Sequence, residues 1–468
     1  MRIAAALLVL LAAVPVLAAD RPPNVVLFYC DDLGYADVGC FGGRTKTPNI
    51  DRLASEGVKF TDFYVSTAVC SASRSALITG CFHRRVSIEG ALGPKAKIGI
   101  NPDERTIAEV FKSKGYATAM YGKWHLGDAP MFRPTRHGFD EWFGVPYSHD
   151  MWPKHPVNPK AYIDLPLMEG DTVLKLNPEP SELTSAITER AVKFIDRSKD
   201  KPFFIYVPHP LPHVPLGVSK PFEGKSGQGL YSDVMSEIDD SVGQVLAALK
   251  RNGIDEQTMV IFSSDNGPWL LYGEHAGSAT PLREGKATSF DGGTRVPLLV
   301  RWPGKIPAGG VCKEVAGTID LLPTLAKLIG ADAAPADRPI DGKDIWPLIS
   351  QQPGAKSPHA SYPFYWSGGL EAVRAGKWKL HLGHPHLTIV TGGNDGKPGK
   401  GAQKQIGVEL FDLEADPGET KNLAEAHPEV VKQLQAMAEQ WREELGDRGG
   451  RKGKGVREPG RLEPKAEK

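Results

Sequence analysis

Two pairs of hard oxygen side chains stand far apart in the sequence: Asp31-Asp32 and Asp265-Asn266. Each follows an apolar run, so folding can bring all four together as ligands for Ca²⁺ or Mg²⁺. The same pairs also cap helices and turns, so what lies between them matters. Between them stands Cys70-Ser-Ala-Ser-Arg74-Ser-Ala-Leu-Ile-Thr-Gly80. Its small residues allow close backbone approach at the start of a short helix, whose exposed N-terminus favours anions. A cysteine there is either a nucleophile beside a bound anion or an inert buried thiol.

These residues need a frame to position them. Asn24–Cys30 is a continuous apolar run ending in the two aspartates, the pattern of a buried parallel strand. Tyr116–Tyr121, Phe203–Val207, Met259–Ser263 and Val296–Arg301 read the same way. Helices are predicted between them: one opened by Thr47-Pro48, one by the capping box Thr106–Glu109, then Leu183–Ser198, Ser232–Arg251 and Leu321–Ile329. Alternating strands and helices predict an α/β fold with a mostly parallel sheet over residues 20–352. Ligands in such sheets sit beyond the carboxyl ends of the strands. From 353 to 446 the pattern changes. Val373–Leu382 and Glu409–Leu413 read as strands and Pro428–Leu445 as an amphipathic helix, predicting a smaller α+β subdomain with an antiparallel sheet. Residues 447–468, rich in Gly, Arg, Lys and Pro, predict a disordered tail.

The 468 residues carry 56 Lys+Arg against 56 Asp+Glu. That balance gives no reason to expect nucleic acid or an anionic membrane as partner. Attraction for an anionic substrate must come from a few cations in one pocket. Arg2, the apolar run Ala4–Leu17 and Val16-Leu17-Ala18 predict a signal peptide over residues 1–19. No other segment is apolar enough to span a bilayer. The mature chain is therefore expected to be secreted or periplasmic, or lysosomal in a eukaryote. Apart from Cys70 there are four cysteines, enough for two bridges whose pairing the sequence does not specify.

The Cys70–Gly80 segment resembles the sulfatase signature: cysteine–any–proline or alanine–any–arginine, then an apolar turn and Thr-Gly. Gly122-Lys123-Trp124-His125-Leu126-Gly127, His137-Gly-Phe-Asp140, Tyr147-Ser148-His149-Asp150, His209-Pro-Leu-Pro-His213, Ser264-Asp265-Asn266-Gly267, Leu282-Arg-Glu-Gly-Lys286, Asp291-Gly-Gly and Arg295-Val-Pro resemble further family blocks, in family order. The chain thus resembles the formylglycine-dependent type I sulfatases, nearest their arylsulfatase A and N-acetylgalactosamine-6-sulfatase branch. The resemblance implies an alkaline-phosphatase-like sheet, and a Cys70 oxidised to formylglycine by a separate maturation enzyme. Ala72 stands where many members carry proline, which bears on which maturation system acts.

The resemblance also assigns roles. The hydrated aldehyde at residue 70 attacks sulfur with one hydroxyl, and the second then expels sulfate. Asp31, Asp32, Asp265 and Asn266 hold calcium, with magnesium as the alternative, and residue 70 is a further ligand. Arg74, Lys123 and Lys286 offset charge on the transferring group. His125 serves as base, His213 with Lys286 protonates the leaving alkoxide, and Ser148 contacts substrate. His209 is then structural, while His137, His149 and His275 are compatible with substrate contact. The implied substrate is a sulfated carbohydrate or other sulfate ester. A phosphate or phosphonate ester hydrolase of the same superfamily is the alternative enzyme. A non-catalytic sulfated-glycan binder would be expected to have lost the nucleophile or the cations. The Met151–Asp171 loop, with Trp152 and His155, is expected to supply part of the pocket wall.

Overall fold

The structure, a computed structural model, describes residues 22–462. The predicted signal peptide lies outside the described residues. No helix among them is long and apolar enough to cross a membrane.

The chain is built on an 11-stranded mixed sheet. Its centre is a parallel block in the order Thr258–Ser264, Asn24–Cys30, Phe203–Val207, Ala117–Tyr121, Glu141–Gly144. Arg295–Arg301 runs antiparallel beside Thr258–Ser264, and Val58–Tyr64 lies antiparallel beyond it. At the other edge Pro166–Glu169 and Thr172–Leu176 add an antiparallel hairpin.

Strand alternation explains the layering. Val25, Leu27 and Tyr29 of the central strand point into one core, which also takes Leu77, Phe111 and Leu325 from three helices. Val26, Phe28 and Cys30 point into the opposite core, with Phe194, Val242 and Leu53. Both faces are covered, so the strand is apolar from Val25 to Cys30, and the buried Asn24 donates to Thr258 Oγ1 at 3.2 Å. The layout agrees with the α/β architecture expected from the sequence.

A separate four-stranded antiparallel sheet follows, in the order Tyr362–Trp366, Gly369–Ala375, Trp378–Thr391, Lys400–Asp412. The helix Pro428–Leu445 packs Leu434 and Ala438 against it. The single strand predicted over Val373–Leu382 is in fact two strands, because Gly376 turns the chain with φ +55°.

The disordered tail predicted from residue 447 is also corrected, as far as Leu462. Gly460–Arg461 pairs antiparallel with Ile98–Gly99. Arg457 Nη2 lies 2.7 Å from Glu104 Oε2, and its backbone N–H donates to the Arg85 carbonyl at 2.7 Å. Composition missed this because Arg448 and Arg457 have carboxylate partners, Glu371 and Glu104, far away in sequence. The cysteines are free thiols, with no bridges among them.

Candidate active site

Five parallel strands deliver the site at their carboxyl ends. Asp31-Asp32 follow Cys30, Asp265-Asn266 follow Ser264, Lys123 follows Tyr121, His213 follows Val207 by a short loop, and Ser148 follows Gly144. Gly122 lets Lys123 turn inward: its φ is +140°, and a Cβ there would sit 1.9 Å from the Pro208 carbonyl oxygen. Asp32 and His125 hold φ of +62° and +64°, strained values for side-chain-bearing residues.

Cys70 begins a helix, Cys70–Thr79, that is buried along its whole length. Small residues let the helix sink between the large sheet and the C-terminal sheet. Its hydroxyls find local partners: Ser75 Oγ donates to the Ala72 carbonyl and Thr79 Oγ1 to the Ser75 carbonyl, both at 2.7 Å. Ala72 donates its N–H to the Gly90 carbonyl at 3.1 Å, a bond proline cannot make.

Around the Cys70 sulfur the predicted residues converge. Its Sγ lies 3.4 Å from Asp31 Oδ1 and 3.3 Å from Lys286 Nζ. Lys286 also donates to both oxygens of Asp32, at 2.7 and 2.9 Å. Lys123 Nζ pairs with Asp31 and donates to Ser148 Oγ at 3.0 Å. Arg74 donates twice to Asp265 Oδ2, from Nη2 at 2.8 Å and Nε at 3.0 Å. His213 Nε2 is 3.5 Å from Asp32 Oδ2. Three carboxylates thus face three fixed cations, and an added divalent cation would leave the site net positive.

Hard oxygen ligands for such a cation are present. Ligand atoms of Asp31, Asp32, Cys70 and His213 all lie within 4.8 Å of one another. Asn266 Oδ1 is buried without a hydrogen-bond partner, while its Nδ2 donates to Asp32 Oδ1 at 2.7 Å. An idle amide oxygen beside carboxylates fits calcium or magnesium. Asp265 Oδ1 accepts the Asp32 N–H at 3.0 Å, so it borders the same space.

Electrostatics divides the acids. Burial works to raise the Asp31 carboxyl, but Lys123, His213, Arg74 and Lys286 hold it well below the usual range. Burial and the Asp31 charge push Asp265 up to about 7, against Arg74. Burial, then Asp31, pushes the Cys70 thiol far up, so as a thiol it stays protonated. Burial, Lys123 and Arg74 push His125 well down, so its imidazole is neutral. The His125 Nε2–H donates to the Leu92 carbonyl at 2.9 Å, which leaves Nδ1, unpartnered, as a bare acceptor.

The other sequence candidates divide. His209 is buried, stacks on Phe28 and reaches Ser241 Oγ at 3.2 Å, a structural role. His137 is buried against Trp124, away from the cluster's hydrogen bonds. His149 packs edge-on to His213 with ring centroids 5.7 Å apart. Trp152, expected in the pocket wall, is buried in the core beneath. Trp269 escaped the sequence reading: Lys286 Nζ lies 4.6 Å from its ring centroid and the His213 ring 5.4 Å away. Its place three residues after Asn266 was the available signal.

Comparison with known proteins fixes the family. Residues 23–331 match the sulfatase family model, and residues 357–454 match the C-terminal region of aryl-sulfatase. The chain belongs to the sulfatase family. It is 38% identical to human arylsulfatase A over 92% of this chain and 90% of that protein. It is 37% identical to dog N-acetylgalactosamine-6-sulfatase over 78% of this chain and 72% of that one. Among solved structures, the PsFucS1 sulfatase from Pseudoalteromonas sp. superposes with a TM-score of 0.78 at 26% identity, covering 90% of each chain. This sulfatase is accordingly an enzyme that hydrolyses sulfate esters, and its sheet is the alkaline-phosphatase-like one the resemblance implied.

Proposed function

We propose that this sulfatase removes sulfate from a sulfated carbohydrate or aryl sulfate, using formylglycine at residue 70 beside a bound calcium. The observation that carries the reading is the Cys70 position: a buried sulfur touching both Asp31 and Lys286. A protonated thiol is a poor nucleophile, so this reading assigns the attack to the oxidised residue. Once formed, the hydrated aldehyde supplies one hydroxyl to attack sulfur and a second to release sulfate. Asp31, Asp32, Asp265 and Asn266 would hold calcium, or magnesium, with residue 70 as a further ligand. The ion would draw charge from a sulfate oxygen.

The remaining work falls to the chain. Lys123, Lys286 and Arg74, whose side chains are buried, offset charge on the transferring group. Ser148 holds Lys123 in place and meets the substrate. His125 Nδ1 takes the proton from the second hydroxyl. The His213 Nδ1–H donates to the Val214 carbonyl at 2.5 Å, which fixes the ring and presents Nε2 to the leaving alkoxide, with Lys286 beside it. The N-acetylgalactosamine-6-sulfatase relatives support a sulfated sugar as substrate. The same reading includes export through residues 1–19 and maturation by a formylglycine-generating or equivalent enzyme.

The test is sulfate release from an aryl sulfate by protein co-produced with a maturation enzyme. Wild type with calcium is expected to turn over; Cys70→Ala, and wild type after chelation, are not. Equal release by Cys70→Ala would sink the nucleophile assignment. Undiminished release after complete removal of metal would sink the cation.

A further inference from the structure

Trp269 touches both groups assigned to the leaving oxygen. Lys286 Nζ lies over its ring at 4.6 Å from the centroid, and the His213 ring centroid is 5.4 Å away. Asp32 closes the circuit on the other side. It accepts from Lys286 Nζ at 2.7 and 2.9 Å, and its Oδ2 is 3.5 Å from His213 Nε2. Lys286 and His213 are therefore held between a carboxylate and an indole face, both of which attract positive charge. The side chains of Lys286, His213 and Asp32 are 8%, 3% and 4% exposed. Trp269 is partly exposed, so it is the member of the four that meets solvent.

The backbone builds this contact. The Pro268 carbonyl accepts the N–H groups of both Leu270 and Lys286, each at 3.0 Å, which ties the residue before Trp269 to Lys286. Gly285 permits the approach: a Cβ there would stand 2.5 Å from the Pro268 carbonyl oxygen and 3.0 Å from Leu270 Cγ. The Trp269 carbonyl accepts the Tyr272 N–H at 3.0 Å. The buried Tyr272 ring packs against the indole at 65°, with centroids 4.8 Å apart. An edge-on aromatic neighbour holds the plane of the indole. The His213 ring is fixed separately, by its bond to the Val214 carbonyl.

We propose that Trp269 is a positioning residue for departure of the leaving group: its face aligns Lys286 Nζ and His213 Nε2 on the leaving oxygen and keeps water from competing for them. When the ester S–O bond breaks, its electron pair stays on the leaving oxygen, which takes a proton from His213 Nε2 beside the Lys286 ammonium. Orienting this pair matters more as the departing oxygen becomes more basic. The proposal rests on the sulfate-ester reading of the residue-70 site.

The test compares matured, calcium-loaded wild type, Trp269→Leu, Trp269→Phe and His213→Ala on phenyl sulfate and para-nitrophenyl sulfate. Thermal melts check the folds, with Trp269→Met standing in should the leucine variant not fold. The readout is kcat/KM, which reports the step that frees the leaving group. The two esters are close in shape, so a lost wall or a loosened loop lowers both alike. Para-nitrophenolate is the weaker base and departs with little help from an acid. Trp269→Leu is expected to lose about tenfold on phenyl sulfate and about twofold on para-nitrophenyl sulfate. Trp269→Phe, which keeps a ring face, should recover most of that difference, and His213→Ala should show the same selectivity more strongly. Equal losses on the two esters in Trp269→Leu, or no loss, while His213→Ala stays selective, would overturn the role of Trp269. Equal losses in His213→Ala would instead sink the leaving-group reading of His213, and absent release by wild type the sulfatase mechanism; the proposal falls with either.

Discussion

Two buried ionic clusters in this molecule look alike in composition and differ in completeness. One is the residue-70 site. The other lies between the large sheet and the C-terminal sheet. There Lys379 Nζ sits 2.9 Å from Asp291 Oδ1 and 3.0 Å from Glu419 Oε1, and His381 Nε2 is 2.8 Å from the same glutamate. Tyr64 donates to Asp291 Oδ2 at 2.8 Å, and Arg295 and Arg374 bracket Asp62 at 3.0 and 2.7 Å. Among the described residues, none of these side chains has a buried polar atom without a partner. The residue-70 site, by contrast, leaves Asn266 Oδ1 and His125 Nδ1 idle and strains Asp32 and His125. A closed network holds two sheets together, whereas idle polar atoms near Cys70 are those that a ligand would satisfy. Asp291 and Arg295 belong to a sulfatase-like sequence block, yet their contacts are those of the structural cluster.

The sharpest way to break this comparison is to remove one lysine from each cluster. Lys379→Met leaves Glu419 buried without its lysine and, among the described residues, Asp291 with only Arg295 as ion-pair partner, at 3.3 Å. A loss of about 3–5 kcal/mol is expected, read by denaturant unfolding, with kcat of the folded protein retained. Lys286→Ala in calcium-saturated protein is expected to do the reverse. It should cost roughly 10²–10³-fold in kcat/KM, with a much smaller loss of stability. Large stability losses from both variants would erase the distinction.

Acid sharpens it further. Burial pushes His83, His137 and His209 down to about 4. The unfolded chain takes up these protons below about pH 6.5 while the folded chain does not, so the unfolded state binds more protons in that window. Their contribution to stability is present above pH 6.5 and is lost as pH falls toward 4. Each adds a slope of up to about 1.4 kcal/mol per pH unit, and His209→Gln should flatten the melting profile by one proton. An unchanged slope in that variant would contradict the assignment of a neutral, structural His209. The smallest effect is expected from Ser148→Ala, which removes the 3.0 Å bond to Lys123. About 1 kcal/mol, roughly fivefold in kcat/KM for an aryl sulfate, is expected, and no change would mean that Ser148 neither holds Lys123 nor meets substrate.

What the sequence disclosed follows from where the determinants lie. Asn24–Cys30, Leu183–Ser198, Phe203–Val207 and Pro428–Leu445 are legible to the residue, because their periodicity and end signals are local. The Thr106–Glu109 capping box forms as read. The long hairpin Trp378–Thr391 with Lys400–Asp412 is not legible over most of its length. Lys400–Asp412 is largely exposed and polar, and Trp378–Thr391 carries Gly383 and Pro385 in mid-strand, so pairing rather than a local pattern sets their form. At the site, the motif-borne Asp31, Cys70, Arg74, Lys123, Ser148, Asp265 and Lys286 join one hydrogen-bonded cluster, whereas His137 and His209 do not. Trp269 was missed as a neighbour of His213, since ring contacts across loops leave no spacing in the sequence, whereas His149, read as compatible with substrate contact, does pack on it. The tail was misread for the same reason: Arg457 is ordered by Glu104, a partner visible only in three dimensions.

The central claim is that residue 70 acts only after oxidation. Its most direct test pairs two readings on the same preparations: the fraction of the residue-70 peptide carrying the aldehyde, by mass spectrometry, and the rate of sulfate release. Preparations matured to different extents should give rates proportional to the aldehyde fraction, falling to zero for the unmodified thiol. Full turnover by protein whose Cys70 is entirely unmodified, or none by protein that is fully converted and calcium-loaded, would contradict the account.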